Sequence, residues 1–268
     1  MRLPLGPIEI HADELGEGEP VVMIHSSGMS SRQWRGLARL LAPTHRAVMP
    51  DLLGCGATRG WTPADTFSIY EDAAVVRAVI DALDAPVHLV GHSYGGLLAL
   101  RVARGLPAAR VRSLAVYEPV AWGVAIDEPG GPVAAALASF TDGFFAPEVG
   151  GSAAWYREFV DYWNGAGAWA ALPDAQREAF LAVGAKVFRE VRALCTDRTP
   201  ADAYRDLAAP TLILSGDRTT AAEQRVCEVL AATIPGATHV ACPGLGHMGL
   251  LARPDDVLPR IAAHVRAA

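Results

Sequence analysis

The sequence predicts an α/β fold: a mostly parallel central sheet flanked by helices and broken once by a helical insertion. Short β-rich apolar runs alternate with helical patterns up to Pro119, the order that produces parallel strands joined by crossover helices. From Trp122 to about Asp206 the chain instead reads as helical, alanine-rich and aromatic, with no convincing strand. Strand-like text resumes at Pro210 and alternates with helices to the C-terminus.

Taken in order, Ile8 to Ala12 reads as a modest edge strand, and Val21-Val22-Met23-Ile24 as a strong buried one. Ser30 or Ser31 is placed to cap a helix carrying Trp34, Leu37, Leu40 and Leu41. His45 to Met49 is a third strand, and Ile69 to Leu83 repeats apolar residues at helical spacing before Pro86. Val87 to Val90 and Val111 to Tyr117 are the fourth and fifth strands. The insertion opens on a loop, Glu128-Pro129-Gly130-Gly131-Pro132. Its aromatic residues, densest around Asp161-Tyr162-Trp163-Asn164-Gly165, are expected mostly to form its own core, with two or three facing a pocket. Thr211 to Leu214 restarts the sheet, followed by a helix from Ala222 to Thr233, a strand from Thr238 to Ala241 and a last helix from Pro254 to Arg266. Asp255 and Asp256 complement the positive end of that last helix.

A chain of 268 residues, 51% of them hydrophobic, can bury a sizeable core as two small domains or as one α/β domain with an insertion. Its 23 Lys+Arg against 29 Asp+Glu give 23 − 29 = −6, which argues against a nucleic-acid partner. Lys186 is the only lysine among those 23 cations, a bias read as coding preference without function. Cys55, Cys195, Cys227 and Cys242 are widely spaced with no C-x-x-C pair, so reduced thiols are expected rather than a zinc site or a disulfide framework. The N-terminus carries Glu9, Asp13 and Glu14 with no apolar signal region, and no run reaches the ~18 residues a membrane span needs. A cytoplasmic protein with no membrane partner is expected.

Gly91-His92-Ser93-Tyr94-Gly95-Gly96 joins the strand Val87 to Val90 to a helix beginning near Gly95, a G-x-S-x-G turn in strand–turn–helix context. Such a turn is strained, and glycine at 91 and 95 removes side chains that would collide with the strand and helix. His25-Ser26-Ser27-Gly28 directly follows the strand Val21 to Ile24, Asp51-Leu52-Leu53-Gly54-Cys55-Gly56 follows the next strand, and Gly246-His247-Met248-Gly249 follows the last. With these motifs, in this order and over nearly the full length, the chain resembles the α/β-hydrolase family. The four segments look like its nucleophile elbow, its H-G-x-G oxyanion turn with Ser26 in place of glycine, its D-x-x-G-x-G loop and its histidine turn. The resemblance implies a core of residues 1–119 and 207–268 with a helical cap over 120–206. Because the elbow precedes the insertion and the histidine follows it, neither half could be catalytic alone.

A serine hydroxyl needs a base within hydrogen-bond reach to act as a nucleophile at neutral pH. Ser93 is the expected nucleophile, and His247, in the glycine-rich loop after the final strand, the expected base. By resemblance His25 and His92 brace the site, while His11, His45, His239 and His264 read as ordinary surface or edge residues. The resemblance places the oxyanion hole at the backbone N–H groups of Ser27 and Tyr94. The acid is open between two positions. In most of the family it lies three residues beyond a glycine after the strand Leu212 to Leu214, but Gly216 plus three is Thr219. Asp217 stands in that loop, whereas Glu118 ends the strand before the insertion, the alternative location in some family members. Glu118 is preferred, because a charge at the carboxyl end of an apolar strand sits where ligands gather in open α/β sheets, and an imidazolium would pair it.

The expectation is therefore a serine hydrolase that cleaves a small, largely apolar carboxylic ester, lactone or thioester through an acyl-enzyme, using neither metal nor organic cofactor. Alternatives from the same resemblance are a carbon–carbon bond hydrolase, a cofactor-free perhydrolase and a slow or non-enzymatic ligand sensor. Dehalogenase and epoxide-hydrolase chemistry is disfavoured, since those relatives carry aspartate where Ser93 stands.

Overall fold

The chain, described over residues 1–62 and 67–268 by a computed structural model, threads β1 (Arg2–Leu5), β2 (Ile8–Leu15), β3 (Glu19–Ile24), β4 (His45–Pro50), β5 (Val87–His92), β6 (Val111–Tyr117), β7 (Thr211–Gly216) and β8 (Thr238–Cys242). These strands form one sheet in the order β1-β2-β4-β3-β5-β6-β7-β8. The pairs β1/β2 and β2/β4 are antiparallel, and every other pair is parallel. The expected edge strand at Ile8 runs longer, to Leu15, and is not the edge, because β1 pairs along its outer side. β1 escapes a sequence reading: Arg-Leu-Pro-Leu is only four residues long and none is fully buried.

The helices are α1 (Arg35–Leu41), α2 (Ile69–Asp81), α3 (Tyr94–Arg104), α4 (Pro132–Ser139), α5 (Ala153–Asn164), α6 (Ala168–Ala171), α7 (Asp174–Ala182), α8 (Gly184–Thr196), α9 (Ala221–Thr233), α10 (Gly249–Ala252) and α11 (Pro254–Ala267). Strand side chains alternate between faces, and the helices cover both. Trp34, Leu37 and Leu41 before and within α1 join Val257, Ile261 and Val265 of α11 against Val21, Met23 and Ala47. Val75, Val79 and Ile80 of α2, Leu97 and Leu100 of α3, and Val226 and Leu230 of α9 pack on the other face. The run from Tyr94 to Ala103 in α3 is buried on all sides, as a helix with apolar residues all round must be, and its one charge, Arg101, is paired with Asp197 at 2.8 Å; truncating one of its leucines to alanine costs about 2–5 kcal/mol. Neither proposed serine cap makes a side-chain bond to the first helix. Ser30 precedes a single 3₁₀ turn over Ser31–Trp34, and the Ser31 hydroxyl is drawn away to Asp13 at 3.1 Å.

Among the described residues, 120–206 contain α4 to α8 and no strand, lying between β6 and β7. The aromatic side chains there stack largely on each other: Phe144 on Trp155, Trp155 on Phe159, and Tyr156 on Trp169. The four cysteines are buried free thiols. No described helix is long and apolar enough to cross a membrane.

Candidate active site

Parallel strands deliver their carboxyl ends to one rim of the sheet, and β5, β6 and the segment after β8 each bring one polar residue there. Ser93 sits between β5 and α3 with φ 55° and ψ −121°. A Cβ at Gly91 would collide with the Gly95 carbonyl, and one at Gly95 with the carbonyls of Ile24 and His25, so both glycines are required by the close approach of β3, β5 and α3. The only other described non-glycine residue with positive φ is Glu118, at 44°. Such strain persists only where surrounding structure enforces it. Here the Glu118 N–H is tied to the Leu214 carbonyl at 2.9 Å and the Ser93 N–H to the Tyr117 carbonyl at 3.0 Å.

The consequence is an unbroken relay. His247 Nε2 lies 2.9 Å from Ser93 Oγ, and its Nδ1 lies 2.8 Å from Glu118 Oε2. Glu118 is wholly buried, but its carboxylate accepts from Gly216 N–H at 2.7 Å and from the Thr219 hydroxyl at 2.6 Å, which offsets the cost of desolvating it. Thr219, in the slot where the family pattern expects the acid, thus donates to Glu118 instead. Asp217 is not part of this group. It is exposed, and its carboxylate accepts the Gly244 N–H at 2.7 Å, tying together the loops after β7 and β8.

The surrounding residues fix the relay. His92 is buried with one nitrogen 2.9 Å from the His247 carbonyl and the other 3.1 Å from the Gln33 amide. Burial, helped by the neighbouring His247, pushes it well below the usual imidazole range, so it is a neutral neighbour that orients His247 without opposing its protonation. Gln33 Oε1 in turn accepts the Ser26 N–H at 3.0 Å. His25 is also held below the usual range by burial; it reaches the Ser26 carbonyl at 2.8 Å and accepts the Leu52 N–H at 3.0 Å, clamping the turn that contains Ser27. Tyr94 opens α3, and the first N–H groups of a helix have no intrahelical acceptor. Trp163 of α5 lies flat on the His247 ring, centroids 3.8 Å apart and planes inclined by 20°. A cavity of about 620 Å³ opens on Ser93, His247 and Ser27, and Phe159, Trp163 and Phe180 are the aromatic residues lining it.

Two buried groups near the site escape a reading by sequence. The sole lysine is no surface relic of codon usage: Lys186 of α8 is 1% exposed, 2.7 Å from Asp72 of α2 and 2.6 Å from Glu190. Asp72 also accepts the Tyr94 hydroxyl at 3.0 Å and the Leu53 N–H at 3.0 Å. Burial works against the lysine's charge, but Asp72 and Glu190 outweigh it and hold its pKa above the usual value. Burial pushes Glu190 up, with Lys186 opposing. Helical spacing in α8 (Lys186, Glu190) was the available signal, but the third partner is 114 residues away. Glu223 of α9, behind Glu118, is likewise pushed well up by burial and by that neighbouring carboxylate, and it accepts the Trp122 indole N–H at 3.3 Å.

Comparison with known proteins agrees with this architecture. A haloalkane dehalogenase of Agrobacterium fabrum is 35% identical over 119 residues, 44% of this chain and 38% of that protein. A pimeloyl-[acyl-carrier protein] methyl ester esterase of Methylococcus capsulatus is 36% identical over 133 residues, 49% of each chain. The chain thus spans less than half the length of these curated relatives. An esterase from Exiguobacterium antarcticum superposes with a TM-score of 0.77 at 20% identity, covering 97% of this chain and 96% of that one, a likeness of fold. Residues 21–260 match the alpha/beta hydrolase family, and the chain belongs to that family.

Proposed function

We propose that the protein is a serine hydrolase of small, largely apolar carboxylic esters, with Ser93 as nucleophile, His247 as general base and Glu118 as the acid that orients it. The observation that carries this reading is the relay itself: serine hydroxyl, imidazole and buried carboxylate at 2.9 and 2.8 Å, the geometry proton transfer requires. His247 takes the Ser93 proton as the oxygen attacks the acyl carbon, then delivers it to the leaving alkoxide. Water repeats the attack on the acyl-enzyme with His247 again as base. Glu118 stabilises the imidazolium formed in each half, and the neutral His92 adds no opposing charge. The backbone N–H groups of Ser27 and Tyr94 receive the oxyanion.

The serine separates this chemistry from that of the dehalogenase relative. A hydroxyl displacing halide from an alkyl carbon would leave an ether with no acyl carbon for water to attack, whereas on an ester it leaves a hydrolysable acyl-enzyme. The helical segment 120–206 serves as a cap: Trp163, Phe159 and Phe180 come from it, and the cavity they line favours a substrate with an apolar acyl or alkyl chain. Ser93→Ala is expected to lower kcat for p-nitrophenyl butyrate by roughly 10⁴-fold or more without changing the circular dichroism spectrum, and a fluorophosphonate probe to label Ser93 alone. Retained turnover, or a label mapping to another serine, would remove the assignment.

A further inference from the structure

The opposite rim of the sheet carries a second cluster of polar side chains that the hydrolytic reading does not use. β4, β3 and β5 are neighbours, with Glu19 in register with His45 and Val21 in register with His88. Side chains alternate along a strand, and Glu19 shares the parity of Val21 and Met23, His45 that of Ala47 and Met49, and His88 that of Val90. All five of those apolar residues pack in the core beneath α1 and α11, so Glu19, His45 and His88 project from one face of three adjacent strands. One nitrogen or oxygen from each lies within 4.8 Å of the other two.

Both imidazoles are oriented for coordination. His88 Nδ1 is 2.8 Å from Ser113 Oγ, and His45 Nδ1 is 2.8 Å from Thr44 Oγ1, which also lies 3.5 Å from the Leu41 carbonyl. In the tautomer in which each ring donates its Nδ1–H to that hydroxyl, the Nε2 lone pair is free, the outer-shell arrangement that fixes a metal-binding histidine. His88 is wholly buried and its Nε2 has no hydrogen-bond partner, with Glu19 Oε2 beyond reach at 3.7 Å. A buried ring nitrogen left without a partner is costly, and with its proton on Nδ1 a cation between these atoms would satisfy it. His45, expected at the surface or edge, is in fact buried.

We propose that Glu19 Oε2, His45 Nε2 and His88 Nε2 form a zinc site, with water in the fourth position on the solvent side. Two imidazoles and a carboxylate suit zinc better than magnesium or calcium. Bonds of about 2.0–2.2 Å in tetrahedral geometry require the donors to close to roughly 3.3 Å, and Glu19, with its side chain 51% exposed, is free to make that movement. Arg112 bonds the other Glu19 oxygen at 2.9 Å, leaving Oε2 available. Arg112 and Arg266 place positive charge nearby, which sets the affinity below that of an all-anionic site. His88 is five residues along the strand from Ser93, about 16 Å at the usual rise; the ion pins the starts of three strands and takes no part in catalysis.

The test uses full-length, chelator-treated protein equilibrated with zinc chloride and desalted. The expected result is one zinc per chain by elemental analysis and a melting temperature raised by roughly 5 °C at a hundredfold excess over Kd. Glu19→Gln, at an exposed position that leaves the fold intact, and His45→Gln are each expected to weaken zinc binding at least about tenfold, with metal-free hydrolysis of p-nitrophenyl butyrate unchanged. No retained zinc in the wild-type protein, or retention equal to wild type in both variants, overturns the proposal. Because the readout is metal content, it fails or succeeds independently of the Ser93 assignment.

Discussion

Replacing Glu118 with glutamine changes one atom, and the structure says why that atom decides turnover. The two carboxylate oxygens accept three hydrogen bonds, from Gly216 N–H to Oε1 and from the Thr219 hydroxyl and His247 to Oε2. A glutamine supplies only one acceptor oxygen. If that oxygen faces Gly216, the amide N–H₂ meets His247 Nδ1 and forces the tautomer that carries its proton on Nε2, which leaves Ser93 without a base. If it faces His247 instead, two donors confront each other at Gly216. The first arrangement costs less, so the variant is expected to fold, bind substrate with a similar KM and lose about 10⁴-fold in kcat, equivalent to about 5.4 kcal/mol at 1.36 kcal/mol per tenfold. Asp217→Asn serves as control: an asparagine oxygen can still accept the Gly244 N–H, and kcat is expected to stay within about twofold. Steady-state kinetics of p-nitrophenyl butyrate at pH 7.5 would decide. A loss under tenfold for Glu118→Gln, or a larger loss for Asp217→Asn, refutes the assignment of the acid.

Three other perturbations follow from the buried groups around the site. Lys186→Met leaves Asp72 and Glu190 buried without their cation and is expected to cost about 3–5 kcal/mol, a melting temperature lower by roughly 10 °C in calorimetry; combining it with Asp72→Asn and Glu190→Gln should recover more than half of that loss. Trp163→Ala removes the ring stacked on His247 and one wall of the cavity, and a stacking contribution of about 1.4 kcal/mol predicts kcat/KM lower by roughly tenfold. Glu223 has a folded pKa raised above 4.5, so the native state binds the extra proton between 4.5 and that raised value and stability falls as pH rises through this window. Glu223→Gln should therefore gain stability relative to the wild type as pH rises from 4.5, as measured by urea denaturation; a constant difference would show that Glu223 does not titrate as described.

Local rules made much of this protein legible. Strand β5, the glycines at 91 and 95 and the following helix are consecutive in the chain; the constraint that selects glycine at 91 acts between residues only four apart, whereas the one at 95 comes from the Ile24 and His25 carbonyls of the neighbouring strand and its turn. The positions of Ser93 and His247 at the ends of parallel strands follow from the same order of motifs. For the acid, that reasoning favoured Glu118 without excluding Asp217. Glu118 and Asp217 are both carboxylates at the rim, and what separates them is a positive φ at Glu118, the Gly216 and Thr219 donors about a hundred residues away, and the direction of the His247 ring. β1 lacked the burial that creates a pattern.

Lys186 shows the same division most sharply. Composition alone marked it as the only lysine and suggested nothing more, because a cation's role depends on whether water or carboxylates surround it. Sequence determined the order of strands and helices, the elbow and the chemical types available at the rim, since those rest on short-range sterics and periodic burial. Tertiary structure decided which carboxylate meets His247, that Lys186 is buried between Asp72 and Glu190, and that Glu19, His45 and His88 share a face; each requires desolvated charges or lone pairs to find partners distant in the chain, and only packing brings them together.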